Sequence, residues 1–230
     1  MSLIDRIGGA AGIGAAIYVM FLPGCVCDLW LPETGPGLEI APETTSADIA
    51  RAFAANTAAN RTSAYIGLIA VFLLLVFFSR LHGALRAAAS PSSWLPTAAL
   101  AGGVLMAAVM TFEIGLAFAS TELTDYGAET QVLRFFPLWG WNSASLAAPP
   151  FALALFGTTL VAWSTHAFPQ WYRWLSTVLF VLLVLIGVMG MPGFAIAPGM
   201  LWMFATALVL TFRTIPSPEQ VQPMAISTTA

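Results

Sequence analysis

The sequence predicts an all-α bundle of about six membrane-spanning helices, because roughly 20 predominantly apolar residues cross a ~30 Å hydrocarbon core and such windows recur along the chain. Two further observations point the same way. Hydrophobic residues make up 59% of the chain and charged residues 8%, against roughly a quarter charged in soluble domains, and the mean hydropathy is +0.85. Backbone polar groups in lipid have to be bonded within their own segment, which apolar runs of this length achieve as α-helices.

Taken in order, the first span covers about residues 7–22 and is short and Gly-rich. Gly8 and Gly12 stand in GxxxG spacing, with Ala11 and Ala15 on nearby faces. Such small residues let another backbone approach closely, so another membrane protein or a second copy of this chain is an expected partner there, beside the membrane lipids themselves. The second span, 62–81, contains "IAVFLLLVFF", and the third, 95–119, contains "VMTFEIGLAFA" with Glu113 inside it. The fourth, 138–165, opens on the polar stretch "WGWNSAS" and carries Pro149 and Pro150. Two missing backbone donors predict a kink or break. The fifth, 171–189, and sixth, 194–212, are joined by "GMPG", a turn signal that predicts a tight antiparallel hairpin.

Between the first two spans an outer loop, 23–61, is rich in Pro, Gly, Thr and acids. Its last part, "TSADIARAFAANTAAN", predicts a short helix in which Thr45 caps and Asp48 completes a variant capping box, running on into the second span. "STELTDYGAETQVLRFF" between spans three and four is polar enough for the interface, as a short surface helix. Residues 1–213 thus form a single transmembrane domain, and 214–230 read as a flexible tail without apolar periodicity.

An even number of spans puts both termini on one side, together with Arg6, Arg80, Arg86, Arg173 and Arg213, while Arg51, Arg61 and Arg134 fall on the other. The Arg excess marks the cytoplasmic face, so both termini are expected in the cytoplasm. Trp94, Trp139, Trp141, Trp163, Trp171 and Trp174 at the predicted span ends fit an aromatic belt. Residues up to "LPGC" have the outline of a secretory signal, but Pro23 sits badly in a cleavage site and five further spans follow, so a first transmembrane helix is expected instead.

Glu113 is the leading candidate for function, since an ionisable group in a span is costly. Counting 1.5 Å per residue from the start of the third span places it roughly 24 to 27 Å up, in the outer quarter of the core. Asn142, Ser143 and Ser145 of the fourth span, Tyr65 of the second and Tyr18 of the first lie at similar depth. They predict a polar cavity open to the outside, with Arg134 as a partner for Glu113; the alternative is that Glu113 only locks two helices through Asn142 or a serine. Cys25 and Cys27, just beyond the first span, form a CxC pair in an oxidising compartment. They are either a weak redox candidate or two small apolar residues.

His82 and His166 both follow spans on the inner side without a third ligand, so no metal site is expected. "NRT" at Asn60 matches a glycosylation acceptor that matters only in a eukaryotic host. HExxH, GxSxG and Gly-rich phosphate loops are all missing from the sequence, and no cofactor is expected. A net charge of −3 without an Arg run gives no footprint for nucleic acid.

"FAANTAANRTSAYIGL", "VFFSRLHGALRAAA", "AALAGGVLMAAVM" and "FPQWYRWLSTVLFVLLVL", with a P-x-W-x-x-W feature at Pro169, Trp171 and Trp174, resemble a group of uncharacterised bacterial multi-span membrane proteins known only as a domain of unknown function. The likeness runs from about 47 to 213. It implies a bacterial cytoplasmic membrane and transfers no catalytic residue. The leading expectation is a non-enzymatic accessory or interaction protein. A small transporter or ligand-binding protein with an outward pocket around Glu113 is the alternative, and a thiol redox protein the weaker one. A transporter needs a polar path below Glu113, for which Thr111, Thr158 and Thr159 are the available groups.

Overall fold

A computed structural model describes residues 3–20, 46–126, 130–189 and 196–212. Their regular structure is helical throughout: α1 (Leu3–Met20), α2 (Ser46–Ala88), α3 (Leu95–Asp125), α4 (Thr130–Thr165), α5 (Gln170–Val188) and α6 (Ile196–Phe212). Each apolar segment of the sequence lies on its own helix. Four helices hold segments long and apolar enough to cross a membrane, at Ala64–Ala88, Leu95–Leu116, Leu146–Thr165 and Gln170–Val188, and α6 holds a shorter apolar one at Ala197–Phe212.

Neighbours in sequence pack on each other from α1 to α6, and α6 packs back on α1, so the helices close into a ring. Inside it α2 meets α4, and α6 touches both. Side-chain contacts give the directions. Gly8 of α1 faces Arg80 and Gly12 faces Phe77, so α1 and α2 are antiparallel. Gly9 faces Thr211 while Gly12 faces Ala207, so α1 and α6 are antiparallel too. The start of α1 and the end of α6 therefore share one end of the bundle, called here the termini end.

The ring is held by close approach of small residues. A Cβ on Gly102 of α3 would sit 2.6 Å from both the Pro150 carbonyl oxygen and the Ala154 amide of α4, and one on Gly157 would sit 2.7 Å from the Leu95 carbonyl. These are backbone atoms that cannot swing aside. Lipid tails are as apolar as leucine, so helices in a membrane associate by such van der Waals fit rather than by the hydrophobic effect. Gly8, Gly9 and Gly12 act likewise within the chain: all three are buried, against α2 and α6.

Two expectations change and one holds. The prolines do not break the fourth segment, because α4 runs as one helix from Thr130 to Thr165. Pro150 is buried where Gly102 lets the α3 backbone close on it, and a neighbouring helix of this kind supports a proline-interrupted span. Residues 120–136 do not form a separate surface helix; those described continue α3 to Asp125 and open α4 at Thr130. Extending a helix adds a bond per residue without a new nucleus. The helix expected before the second span is part of α2 itself, whose 43 residues measure about 65 Å, twice the ~30 Å core.

The short connection at 89–94 keeps α2 and α3 level at the termini end, and the contacts at Gly102 and Gly157 carry α4 antiparallel alongside α3. Their excess length therefore projects together from the opposite end, where Arg61 of α2 pairs with Glu122 of α3 at 2.8 Å. The outer loop before Ser46, with "LPGC", and the tail beyond Phe212 lie outside the described residues.

Replacing Gly102 or Gly157 by Ala is expected to destabilise the protein by about 1–3 kcal/mol through forced backbone separation. Ala at Gly83 or Gly187, where an added Cβ meets nothing within 4 Å, is expected to be neutral or stabilising by up to ~1 kcal/mol. Unfolding of the four variants in detergent micelles checks this, and equal effects at all four sites would contradict it.

Candidate functional site

Glu113 lies on α3 near the end of the Leu95–Leu116 segment. It is half-buried and held by an interaction with its surroundings. The α3–α4 register sets Gly157 against Ala99 and Ala154 against Gly102. Continued towards the projecting end, it brings Glu113 level with the turn of α4 that carries Asn142 and Ser143. The side chains of Tyr18, Arg134, Asn142, Ser143 and Ser145 lie outside the described residues, as do Cys25 and Cys27. Tyr65 is 62% exposed and meets Phe118 edge-on at 5.1 Å, more than a helical turn above Glu113. An ion pair at this end joins Glu122 to Arg61.

Among the described residues, the side chains buried between Glu113 and the turn of Thr158 and Thr159 are apolar. Ile114, Met110, Ala107 and Met106 of α3 are buried, as are Leu74, Phe77 and Phe78 of α2 and Phe151 and Leu155 of α4. Thr111 is exposed and turned back on its own helix, donating to the Ala107 carbonyl at 2.8 Å. It extends no path.

The buried polar groups gather at the other end, between α4, α5 and α6. Thr206 donates to the Trp202 carbonyl at 2.7 Å, so the 2.8 Å contact between its oxygen and Tyr172 is a bond donated by the Tyr172 hydroxyl. Ser176 and Trp202, both fully buried, border the same hydroxyl, yet Ser176 Oγ and Trp202 Nε1 complete no hydrogen bond. Tyr172 and Ser176 are a turn apart on α5, and so are Trp202 and Thr206 on α6. Packed antiparallel, the hairpin brings the two pairs together. Phe151 against Gly199 sets the parallel register of α4 and α6, which puts Thr158 level with Thr206. Thr158 is buried and spends its proton on the Ala154 carbonyl at 2.8 Å. The Tyr172–Thr206 pair was missed in the sequence, although the i,i+4 spacings Y-x-x-x-S and W-x-x-x-T on two hairpin helices are a signal for it.

Outside this knot the α4–α5 seam is aromatic. Arg173 lies over the Trp163 ring at 5.0 Å, and Trp174 meets the same ring edge-on at 5.1 Å. Trp163 Nε1 donates to Thr177 at 2.9 Å. His166, exposed in the α4–α5 connection, has φ 55, the left-handed conformation that ends α4. His82 is half-buried on α2, and among the described residues no group of three or more His, Cys, Asp or Glu could hold a metal.

Comparison with known protein families, with characterised proteins and with solved structures finds no match to this chain. The reading therefore rests on the geometry. Tyr172→Phe removes one bond of the buried knot and is expected to cost ~0.6–2 kcal/mol, the range for interhelical hydrogen bonds in membranes. Detergent-micelle unfolding measures it; a variant as stable as wild type would mean that the hydroxyl contributes nothing.

Proposed function

We propose that this is a non-enzymatic multi-pass protein of a bacterial cytoplasmic membrane, an accessory or interaction protein rather than a carrier. The supporting observation is the apolar plug between its two polar regions. Glu113 and the Tyr172 knot lie towards opposite ends of the bundle, and Met106, Met110, Phe77, Phe78, Phe151 and Leu155 fill the space between them. A solute crossing would need that packing to open. The projecting ends of α2, α3 and α4 offer an interaction surface outside the membrane, stiffened by the Arg61–Glu122 pair.

A second reading, a small ligand-binding or transport protein, draws on the level placement of Glu113 and the Asn142 turn. Proteoliposomes separate the two. With entrapped pyranine under a potassium diffusion potential, wild type is expected to leak protons no faster than protein-free vesicles, and Glu113→Gln to behave identically. A protein-dependent leak that Glu113→Gln abolishes would favour the second reading.

Both termini are proposed to face the cytoplasm, on the Arg excess of their end. Green fluorescent protein fused after Ala230 is expected to fluoresce in a bacterial host and alkaline phosphatase fused there to stay inactive. The opposite pattern would invert the topology.

A further inference from the structure

We propose that the α4–α5 seam at the termini end binds the phosphate of an anionic membrane lipid, with Arg173 as the cationic ligand. The guanidinium is preorganised. It rests 5.0 Å over Trp163, Trp163 is fixed by its bond to Thr177 at 2.9 Å, and Thr177 donates back to the Arg173 carbonyl at 2.9 Å. Arg173 Nε is buried without an acceptor, and among the described residues no carboxylate pairs with this side chain. The residue as a whole is half-buried, and Nε is the one of its nitrogens that is both fully buried and unpartnered. A fork of fixed geometry, stacked on an indole and lacking a protein anion, matches a phosphate group.

Two further observations select a lipid over a free anion. The first is charge. By sequence the termini end carries Arg6, Arg80, Arg86, Arg173 and Arg213 against Asp5 and Glu219, and the remaining acids fall in segments towards the other end. Such an excess draws anionic headgroups. The second is the surface next to the fork. Trp94, Trp171 and Trp174 are each more than half exposed, which sets this end at headgroup depth. From Trp174 an exposed stripe continues along α5 through Val178, Val181 and Leu185, where an acyl chain attached to a bound headgroup would lie.

Native mass spectrometry of the full-length protein, titrated with phosphatidylglycerol or with phosphatidylcholine of the same acyl chains, tests this. Wild type is expected to prefer phosphatidylglycerol. Arg173→Gln should weaken that lipid by about five-fold and leave phosphatidylcholine unchanged, whereas Arg86→Gln, whose side chain bonds the Pro91 carbonyl at the end of α2, should keep most of the preference. Trp163→Leu, which removes the supporting ring and keeps the charge, should weaken it by roughly two-fold or more. The proposal is overturned if Arg173→Gln, or Trp163→Leu should Arg173→Gln not assemble, binds phosphatidylglycerol as wild type does. It is equally overturned if inorganic phosphate at matched concentration displaces the lipid, which would make the seam a free-anion site.

Discussion

The close approach of α3 and α4 is the constraint on which the rest of the bundle depends. In lipid the burial of apolar side chains gives helices little reason to associate, so the seam needs shape complementarity at the level of the backbone. Gly102 and Gly157 supply it from opposite helices, each against main-chain atoms of the other. The same contact explains how α4 carries two prolines, since the backbone beside Pro150 is covered by α3. With that pair set, α2 packs on α3 through Phe78 over Gly103, and α1 closes the ring by laying its glycines on α2 and α6.

Polarity is sorted by depth around this apolar frame. Glu113 sits where α3 nears the projecting end, and there an ionised carboxylate is far cheaper than at the bilayer centre. The hydroxyls of Thr158, Ser176, Tyr172 and Thr206 sit in the other half. Thr158 and Thr206 each bond their own helix a turn back, which satisfies them without a partner helix. Tyr172 reaches across to α6, so of these four it is the hydroxyl that donates to another helix. Large rings complete the filling: Phe168 stacks on Tyr172 at 5.2 Å, and Phe78 lies 6.2 Å from Trp202.

Much of this was legible in the sequence because membrane thickness is a one-dimensional constraint. Counting apolar residues located a helix for each expected span. What counting cannot supply is rotation about each helix axis. Tyr172 and Ser176 begin an apolar run beside the exposed Trp171 and Trp174, and nothing in their order says which face turns inwards. Gly8 and Gly12 posed the same difficulty. Their spacing announced a close contact, but whether the partner was another chain or this chain's own α2 and α6 depended on how the ring closes. The expected break at the proline pair does not occur for a related reason, since its cost depends on the neighbour across the seam as well as on α4.

The ring is not uniformly tight. Of the α5 span 22% is buried, against 50% for the α4 span, and its buried residues form one stripe, Tyr172, Ser176, Leu179 and Leu183. Nothing lies within 4 Å of a Cβ placed on Gly187 near its far end, so the backbone approach that fixes α3 to α4 has no counterpart there. What holds α5 is concentrated in its first two turns: the Tyr172 hydroxyl on α6, and Arg173, Trp174 and Thr177 around the Trp163 ring of α4. The helix is pinned at the termini end and packed by apolar contacts along the rest. Its attachment therefore depends on the polar and aromatic contacts of its first two turns more than on close backbone approach.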